Sequence, residues 1–316
     1  MTRIAVFPGQ GAQAVGMGRA LFDAVPAARD VFEAVDEALG EKLSAIIFDG
    51  PAEALTLTRN TQPALMATSL AAVRAFEALS GRRLVDCVDA AAGHSLGEYS
   101  ALAAMGALEI GAAARLLRLR GEAMQSAVAP GQGAMAAVLG LDPEAAAALG
   151  AEVEAETGGV CELANDNADG QAVLSGDATS VERACVLAKE KGAKRAMLLQ
   201  VSAPFHCRLM QPAADRLAEA LATTAFKAPG KPVIANVSVE PVSDPAALAG
   251  TLTRQVTARV RWRETMQHFA ASGTTLIAEF GAGKVLTGLA RRAVPSATLL
   301  NIQTPDDVDA LMAALD

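Results

Sequence analysis

The chain is poor in several residue types, and each scarcity argues against a class of protein. Its 316 residues include three histidines, four cysteines, one tryptophan and one tyrosine, and its net charge is −8. An acidic chain without a run of basic residues does not resemble a nucleic-acid-binding protein, which needs a basic surface with stacking aromatics. Cys87, Cys161, Cys185 and Cys207 form no CxxC pair. We therefore expect neither a disulfide framework nor a metal site.

Long apolar runs are also missing. The apolar run Ile4–Phe7 ends at a Pro-Gly break, which makes it too short for the core of a signal peptide. Tyr99–Leu108 contains no charged residue but has about half of the ~18 residues that a membrane span requires. We expect a cytoplasmic protein without a membrane segment, and the reducing cytoplasm suits unpaired cysteines.

Strand and helix patterns alternate along the chain, which predicts an α/β fold. Ile4–Pro8 is a β-prone run that ends at Pro and Gly, and Val85–Ala92 is predicted to be a buried strand despite its Asp86 and Asp89. Leu96–Met105 and Glu109–Ala127 are predicted to be helices. After a last strand pattern at Thr275–Phe280, the sequence predicts only helices.

A separate pattern occupies the middle of the chain. Between Ala134 and Val201 the predicted order is strand, helix, strand, strand, helix, strand, with a turn at Asn165–Gly170 before the third strand. This order is typical of ferredoxin-like modules, and Gly- and Pro-containing breaker stretches flank it. We expect a small domain of residues 129–201 inserted in a discontinuous large domain of residues 1–128 and 202–316.

Gly93-His94-Ser95-Leu96-Gly97 matches the G-x-S-x-G nucleophile elbow and lies between a predicted strand and a predicted helix. The flanking glycines permit a sharp turn that projects the Ser95 hydroxyl. The Leu96 N–H, at a helix N-terminus, can donate to an oxyanion. The alternative interpretation is a Gly-rich turn in which the serine caps the helix.

A serine nucleophile needs a base, and the chain offers three histidines. His94 adjoins Ser95, so its side chain should leave the elbow in another direction. His268 lies in an amphipathic helical segment, where a surface or core role is more usual. His206 lies in a loop where the main domain is predicted to resume, and we select it as the base, with a structural loop histidine as the alternative. No acid stands out as its partner, so a backbone carbonyl could hold the imidazole; the neighbouring Cys207 is interpreted as packing.

Arg120 is predicted to face inward from its helix. Six residues lie within about 60° of it on a helical projection: Ala113, Leu116, Leu117, Ala123, Met124 and Ala127. A buried guanidinium is costly unless an anion meets it, and a planar carboxylate suits its fork. One interpretation is structural: the Arg120 guanidinium pairs with a buried Asp or Glu of the protein, or its side chain extends to bring the charge to the protein surface. The other interpretation is functional: the guanidinium binds the carboxylate of an acyl substrate.

The segment Gly9-Gln10-Gly11-Ala12-Gln13-Ala14 formally matches a dinucleotide fingerprint after a strand, which makes a nucleotide-binding module the rival hypothesis. The rival is weakened because Pro26–Gly40 has a helical pattern where the second strand of such a module is expected. In an elbow enzyme the Gln10 N–H could instead complete the oxyanion hole. Gly281–Lys284 fails as a phosphate loop because residue 278 is alanine.

Eight stretches, running from about residue 5 to about residue 290, carry a family resemblance. They are Phe7–Gly11 with Gln13, Thr61–Ala64, Gly93–Tyr99, Arg120-Gly121, Gly170-Gln171, Pro204–Cys207, Val260–Trp262 and Glu279–Gly288. In this order they resemble the bacterial malonyl-CoA:acyl-carrier-protein transacylases of fatty acid synthesis, and the G-H-S-L-G-E-Y and P-F-H stretches are the most specific. Departures are mild, namely Ala12 where Ser is common and Ala258 where Pro is common.

The resemblance implies a hydrolase-like α/β large domain with an inserted ferredoxin-like small domain. It implies Ser95 as nucleophile, His206 as base and Arg120 as the ligand of the malonyl carboxylate. It further implies backbone N–H groups of Gln10 and Leu96 as the oxyanion hole. It also implies that the Gln255 carbonyl orients the histidine.

Phe205 resembles the malonyl-type members of the family, and Gln62 and Asn167 are further secondary candidates for the site. The implied reaction is a ping-pong transfer from malonyl-CoA, a substrate, through a malonyl-serine to the acyl carrier protein, without a metal or redox cofactor. A serine hydrolase or thioesterase is the alternative within enzymes. Because both partners are acidic, we expect a basic rim, with these candidates: Arg115, Arg118, Lys189, Lys191, Lys194, Arg195, Arg291 and Arg292.

Overall fold

The computed structural model describes residues 2–316 and combines ten strands with fifteen α-helices in this part of the chain. The strands of this part of the chain are β1 (Thr2–Phe7), β2 (Ala90–Gly93), β3 (Gly133–Leu139), β4 (Cys161–Ala168), β5 (Gln171–Asp177), β6 (Arg195–Leu198), β7 (Val233–Ile234), β8 (Pro241–Val242), β9 (Thr274–Phe280) and β10 (Thr298–Ile302). Its helices are α1 (Arg19–Ala24), α2 (Pro26–Leu39), α3 (Leu43–Asp49), α4 (Ala52–Thr56), α5 (Thr58–Ser80), α6 (Leu84–Cys87), α7 (Gly97–Ala104), α8 (Ile110–Ser126), α9 (Pro143–Thr157), α10 (Ala178–Glu190), α11 (Gln211–Ala222), α12 (Pro245–Thr257), α13 (Trp262–Ala271), α14 (Val285–Ala293) and α15 (Pro305–Leu315). Within residues 2–316, no helix combines the length and apolar composition that crossing a membrane requires.

The larger sheet has the order β10-β9-β1-β2-β7-β8. All its neighbouring strands run parallel except β8, which pairs antiparallel with β7. Alternate residues of β1 face two different apolar cores. Ala5 and Phe7 join the core built with α2, α5 and α8, whereas Ile4 and Val6 join Trp262 of α13. Helices therefore cover both faces of the sheet, as the continuous apolar sequence of β1 requires.

The smaller sheet is antiparallel and has the order β4-β5-β3-β6. Helices α9 and α10 cover it, and the three elements share an apolar cluster that includes Leu149, Leu174 and Val181. The strand–helix–strand–strand–helix–strand order predicted for residues 134–201 is confirmed. The mixed α/β class is confirmed as well, with a largely parallel sheet and a separate antiparallel one.

Three predicted elements differ from the structure. Residues 85–92 do not form one strand, because α6 occupies their start and pairing with β1 begins only at Asp89, whose N–H donates to the Arg3 carbonyl at 2.8 Å. The turn predicted at Asn165–Gly170 is shorter, since β4 continues to Ala168. The final segment is not all helical, because Thr298–Ile302 forms the edge strand β10 beside β9.

Candidate active site

The G-x-S-x-G sequence forms a sharp turn between β2 and α7. Ser95 has a φ of 52°, in the left-handed region that non-glycine residues rarely adopt. The two motif glycines are required by close backbone approach: a Cβ at Gly93 would lie 1.8 Å from the Gly97 carbonyl oxygen, and a Cβ at Gly97 would lie 2.3 Å from that of Phe7. The predicted strand–turn–helix context of Ser95 is confirmed.

The Ser95 hydroxyl lies beside an imidazole. Its Oγ is 2.7 Å from Nε2 of His206, and Nδ1 of His206 is 2.9 Å from the backbone carbonyl of Gln255 and 3.2 Å from that of Ala258. Because a carbonyl only accepts, Nδ1 carries the proton and Nε2 is free to accept the serine proton. Burial, and next the nearby positive charge of Arg120, lower the pKa of His206 to about 3, which keeps the ring neutral around pH 7.

Arg120 lies beneath the serine and is 2% exposed, which confirms that it faces inward. Its Nη1 donates to Oε1 of Gln62 at 2.7 Å, and its Nη2 donates to Ser95 Oγ at 3.0 Å and to Oε1 of Gln255 at 2.9 Å. Within residues 2–316 no carboxylate forms an ion pair with it, and its Nε–H has no acceptor. Burial lowers the pKa of the guanidinium. A buried cation with neutral partners is a favourable site for an anion.

These side chains line a cavity of about 110 Å³ between the two sheets. The larger part of the molecule contributes Gln10, Gln62, His94, Ser95, Leu96, Arg120, Met124, Phe205 and His206 to the lining, and the strands of the smaller sheet and the segment after them contribute Met135, Asn165, Leu199 and Val201. Within residues 2–316 the backbone N–H groups of Gln10 and Leu96 donate to no acceptor, so both remain available to an oxyanion.

Other sequence candidates lie outside the cavity or contribute differently. Asn167 does not line it; its Oδ1 accepts from Nε2 of His94 at 2.9 Å, so the His94 side chain leaves the elbow away from the serine hydroxyl. His268 is exposed on α13. Cys207 is buried, and its thiol donates to the Pro204 carbonyl at 3.1 Å. This agrees with the prediction that Cys207 is a packing residue.

Two residues of the site, Asn236 and Glu98, were not identified by sequence analysis. Oδ1 of Asn236 accepts from the Ser95 N–H at 2.7 Å, and Nδ2 of Asn236 donates to the Gly93 carbonyl at 2.7 Å. Oε2 of Glu98 accepts from Nε2 of Gln255 at 2.7 Å, and burial raises the pKa of Glu98 to about 7. Each residue has a sequence feature that could have identified it. Asn236 follows a strand at the carboxyl end of the parallel sheet, and Glu98 belongs to the elbow sequence itself.

The basic residues that were expected to form a rim lie in several separate places. Lys194 and Arg292 line a second cavity of about 410 Å³ with Gly140 and Gly170, between the smaller sheet and α14. Arg118 instead forms an ion pair with Glu41. The dinucleotide hypothesis loses its structural basis, because six helices, α1 to α6, follow the glycine loop before the second strand begins.

Comparisons with known proteins agree with this geometry. A sequence model described as "Acyl transferase domain" matches residues 4–309. The malonyl CoA-acyl carrier protein transacylase of Bacillus subtilis strain 168 is 46% identical over 316 residues, covering 100% of this chain and 98% of the relative. The crystal structure of the acyl-carrier-protein-S-malonyltransferase of Bartonella henselae has a TM-score of 0.96 at 53% identity, covering 100% and 99% of the two chains. A solved complex of a type II PKS acyl-carrier protein with its malonyl-transacylase has a TM-score of 0.95 at 39% identity, covering 99% and 100%.

Proposed function

This chain belongs to the acyl transferase family, and on that premise we propose that it moves a malonyl group from malonyl-CoA to the phosphopantetheine thiol of an acyl carrier protein, for fatty acid synthesis. The observation that carries the malonyl assignment is Arg120, a buried guanidinium 3.0 Å from the Ser95 hydroxyl that pairs with no carboxylate among residues 2–316. The free carboxylate of a malonyl group supplies the missing anion while its thioester carbon meets the serine.

In the first half-reaction, His206 accepts the Ser95 proton as Oγ attacks the thioester carbonyl of malonyl-CoA. The backbone N–H groups of Gln10 and Leu96 stabilise the oxyanion of the tetrahedral intermediate. The carbon–sulfur bond breaks, CoA leaves as a thiol with the proton held by His206, and malonyl-Ser95 remains. In the second half-reaction His206 deprotonates the carrier thiol, which attacks the ester, and Ser95 leaves with that proton.

The remaining candidates position these groups. The Gln255 carbonyl orients the imidazole of His206, as the 2.9 Å contact supports. Gln62 holds the guanidinium of Arg120, Phe205 narrows the cavity that the acyl group enters, and Asn167 acts through His94. Malonyl-CoA is a substrate, and the proposed reaction uses no metal or redox cofactor.

We also propose the finer description of the fold. The parallel sheet with a serine elbow after β2 supports a hydrolase-like large domain of residues 1–128 and 202–316. The antiparallel sheet with its own apolar cluster supports a ferredoxin-like small domain of residues 129–201. We also propose a cytoplasmic location, which the free state of Cys87, Cys161, Cys185 and Cys207 supports.

The test is intact-protein mass spectrometry after incubation with a panel of acyl-CoAs. We expect wild-type protein to gain a malonyl adduct on the Ser95 peptide and to lose it to a holo carrier protein. Ser95→Ala abolishes the adduct, whereas Ser126→Ala, an exposed serine at the end of α8, keeps it. An adduct that persists in Ser95→Ala refutes the nucleophile. Release of free malonate at the rate of transfer, without any acceptor, identifies a hydrolase instead.

A further inference from the structure

Glu98 is a buried carboxyl that the proposed reaction does not use. It lies in the first turn of α7, three residues after Ser95, is 2% exposed and does not line the cavity. Its Oε2 accepts two hydrogen bonds, from the side-chain amide of Gln255 at 2.7 Å and from the backbone N–H of Asn236 at 3.1 Å. Burying a carboxyl is costly, and here both donors are neutral groups of the site.

The hydrogen bond from Gln255 shows that Glu98 fixes the orientation of a side-chain amide. Nε2 of Gln255 uses one N–H for the Ser95 carbonyl at 2.9 Å and the other for Glu98, and Oε1 of Gln255 then accepts from Arg120 at 2.9 Å. If this amide were reversed, its oxygen would face two other oxygens and its NH₂ would face the guanidinium. The acceptor on Glu98 therefore selects the amide orientation that holds Arg120.

The second donor leads to the nucleophile. Asn236, held by Glu98 through its backbone N–H, accepts the Ser95 N–H with Oδ1 at 2.7 Å and donates to the Gly93 carbonyl with Nδ2 at 2.7 Å. These contacts fix both ends of a turn in which Ser95 has a left-handed backbone. The backbone of Gln255 also holds His206, so one carboxyl oxygen is connected to all three groups that meet the substrate.

We propose that Glu98 is a positioning residue for acyl transfer: its oxygen orients the Gln255 amide and the Asn236 backbone, and through them keeps Arg120, His206 and Ser95 in their reactive arrangement. This role rests on the proposed function of those three residues. It requires an oxygen acceptor at this position and not a negative charge, so an amide of the same shape can replace the carboxyl.

The experiment compares Glu98→Leu, which removes the acceptor, with Glu98→Gln, which keeps one. Glu109→Gln is the control, because Glu109 is an exposed carboxyl paired with Lys227 on the surface. Rate constants of Ser95 acylation are measured with malonyl-CoA and acetyl-CoA, together with labelling of Ser95 by a fluorophosphonate and with thermal unfolding. We expect Glu98→Leu to lower malonyl acylation about 100-fold and to lower the malonyl-to-acetyl ratio at least about tenfold, since small misplacements cost this much. Glu98→Gln should stay within about fivefold of wild type.

A folded Glu98→Leu variant with wild-type rates overturns the proposal, and so does a folded Glu98→Gln variant that loses as much as Glu98→Leu. If Glu98→Leu does not fold, Glu98→Gln decides alone: near wild-type rates and selectivity support the positioning role, and a 100-fold loss refutes it. Wild-type protein that fails to react with malonyl-CoA refutes the proposed function only, because fluorophosphonate labelling of the same variants still tests Glu98.

Discussion

At the scale of single residues, Arg120 determines which acyl groups the cavity favours. Its guanidinium has lost its hydration, and in the described part of the chain, residues 2–316, its acceptors are the neutral oxygens of Gln62, Ser95 and Gln255. An acyl carboxylate that accepts from it forms charge-assisted hydrogen bonds, each of which contributes about 1.5–3 kcal/mol. An acetyl group provides no such acceptor and leaves the cation unpaired.

Replacing Arg120 should therefore change selectivity more than reactivity. We expect Arg120→Ala to lower the rate constant of Ser95 acylation by malonyl-CoA at least about 10²-fold and to leave acylation by acetyl-CoA within about tenfold. Stopped incubations analysed by mass spectrometry measure both rates. The control is Arg118→Ala, two residues along α8, whose side chain pairs with Glu41 away from the cavity. Equal losses with both acyl groups would reduce Arg120 to a structural role.

The sequence predicts some of these residues well and others not at all. Ser95 lies in a motif whose glycines are required by backbone geometry, His206 is assigned by elimination among three histidines, and the inward face of Arg120 follows from helical periodicity. Glu98 and Asn236 could not be predicted in the same way. Their contacts join positions 138 to 157 residues apart, and a hydrogen bond over that separation depends on the complete tertiary fold.

At the scale of elements, the approach of α8 to the start of α5 sets the position of Arg120 relative to Gln62. Gly121 makes this approach possible, because a Cβ there would lie 2.6 Å from Cα of Arg59 and 2.7 Å from the Thr58 carbonyl oxygen. Both obstacles are backbone atoms, which cannot rotate away as a side chain can. The packing of α8 against α5 therefore explains why a glycine, Gly121, follows Arg120.

Gly121→Ala should separate the two helices and weaken the Arg120–Gln62 contact. We expect a loss of about 1–3 kcal/mol in the free energy of unfolding, as overpacking costs, together with a lower malonyl-to-acetyl ratio. Gly250→Ala is the matched control, because Gly250 is exposed in α12 and a Cβ there meets nothing within 4 Å. That change should stabilise by about 0.5–1 kcal/mol through helix propensity. Urea unfolding of both variants gives the comparison, and a stable Gly121→Ala variant would contradict the packing argument.

The boundaries of helices and strands can be predicted where the hydrophobic periodicity is strong. They cannot be predicted where the pairing of strands determines them. The helix predicted over Glu109–Ala127 is observed at Ile110–Ser126. The sequence of Val85–Ala92 predicts one strand, but residues 84–87 form α6 and pairing with β1 begins only at Asp89. The edge strand Thr298–Ile302 was missed because five residues give too little pattern to separate a strand from a helix.

At the scale of the whole molecule, the cavity lies where the two sheets meet, and residues of both parts line it. Strand β4 of the smaller sheet reaches the larger part: the Asp166 N–H donates to the Val260 carbonyl at 3.0 Å, and the Val260 N–H donates to that of Ala164 at 2.8 Å. Asn165, between these contacts, lines the cavity, and Asn167 accepts from His94. The joint between the sheets therefore also forms one wall of the candidate active site.

The central ion pair of this joint connects Asp166 to Arg263 of α13. Nε of Arg263 lies 2.9 Å from Oδ1 of Asp166, and Nη2 lies 3.0 Å from Oδ2, a bidentate geometry in which Asp166 is fully buried. Hydrogen bonding to that carboxylate raises the pKa of Arg263. Without Asp166, Arg263 keeps the exposed carboxylates of Glu144 at 3.4 Å and Asp169 at 3.8 Å, which compensate its charge less than the buried carboxylate does. Losing the buried partner therefore costs more than losing an exposed pair.

Asp166→Ala should therefore lower the free energy of unfolding by about 3 kcal/mol. Glu156→Ala, which breaks the half-exposed pair of Glu156 with Arg183, should cost less than about 1 kcal/mol. Urea denaturation followed by circular dichroism measures both. Because Asp166 lies between Asn165 and Asn167 in β4, we also expect its loss to slow Ser95 acylation by malonyl-CoA, whereas Glu156→Ala should leave that rate unchanged. If Asp166→Ala unfolds at the same urea concentration as Glu156→Ala, the ion pair does not hold the sheets together, and the wall of the cavity must be fixed by the backbone contacts of β4 alone.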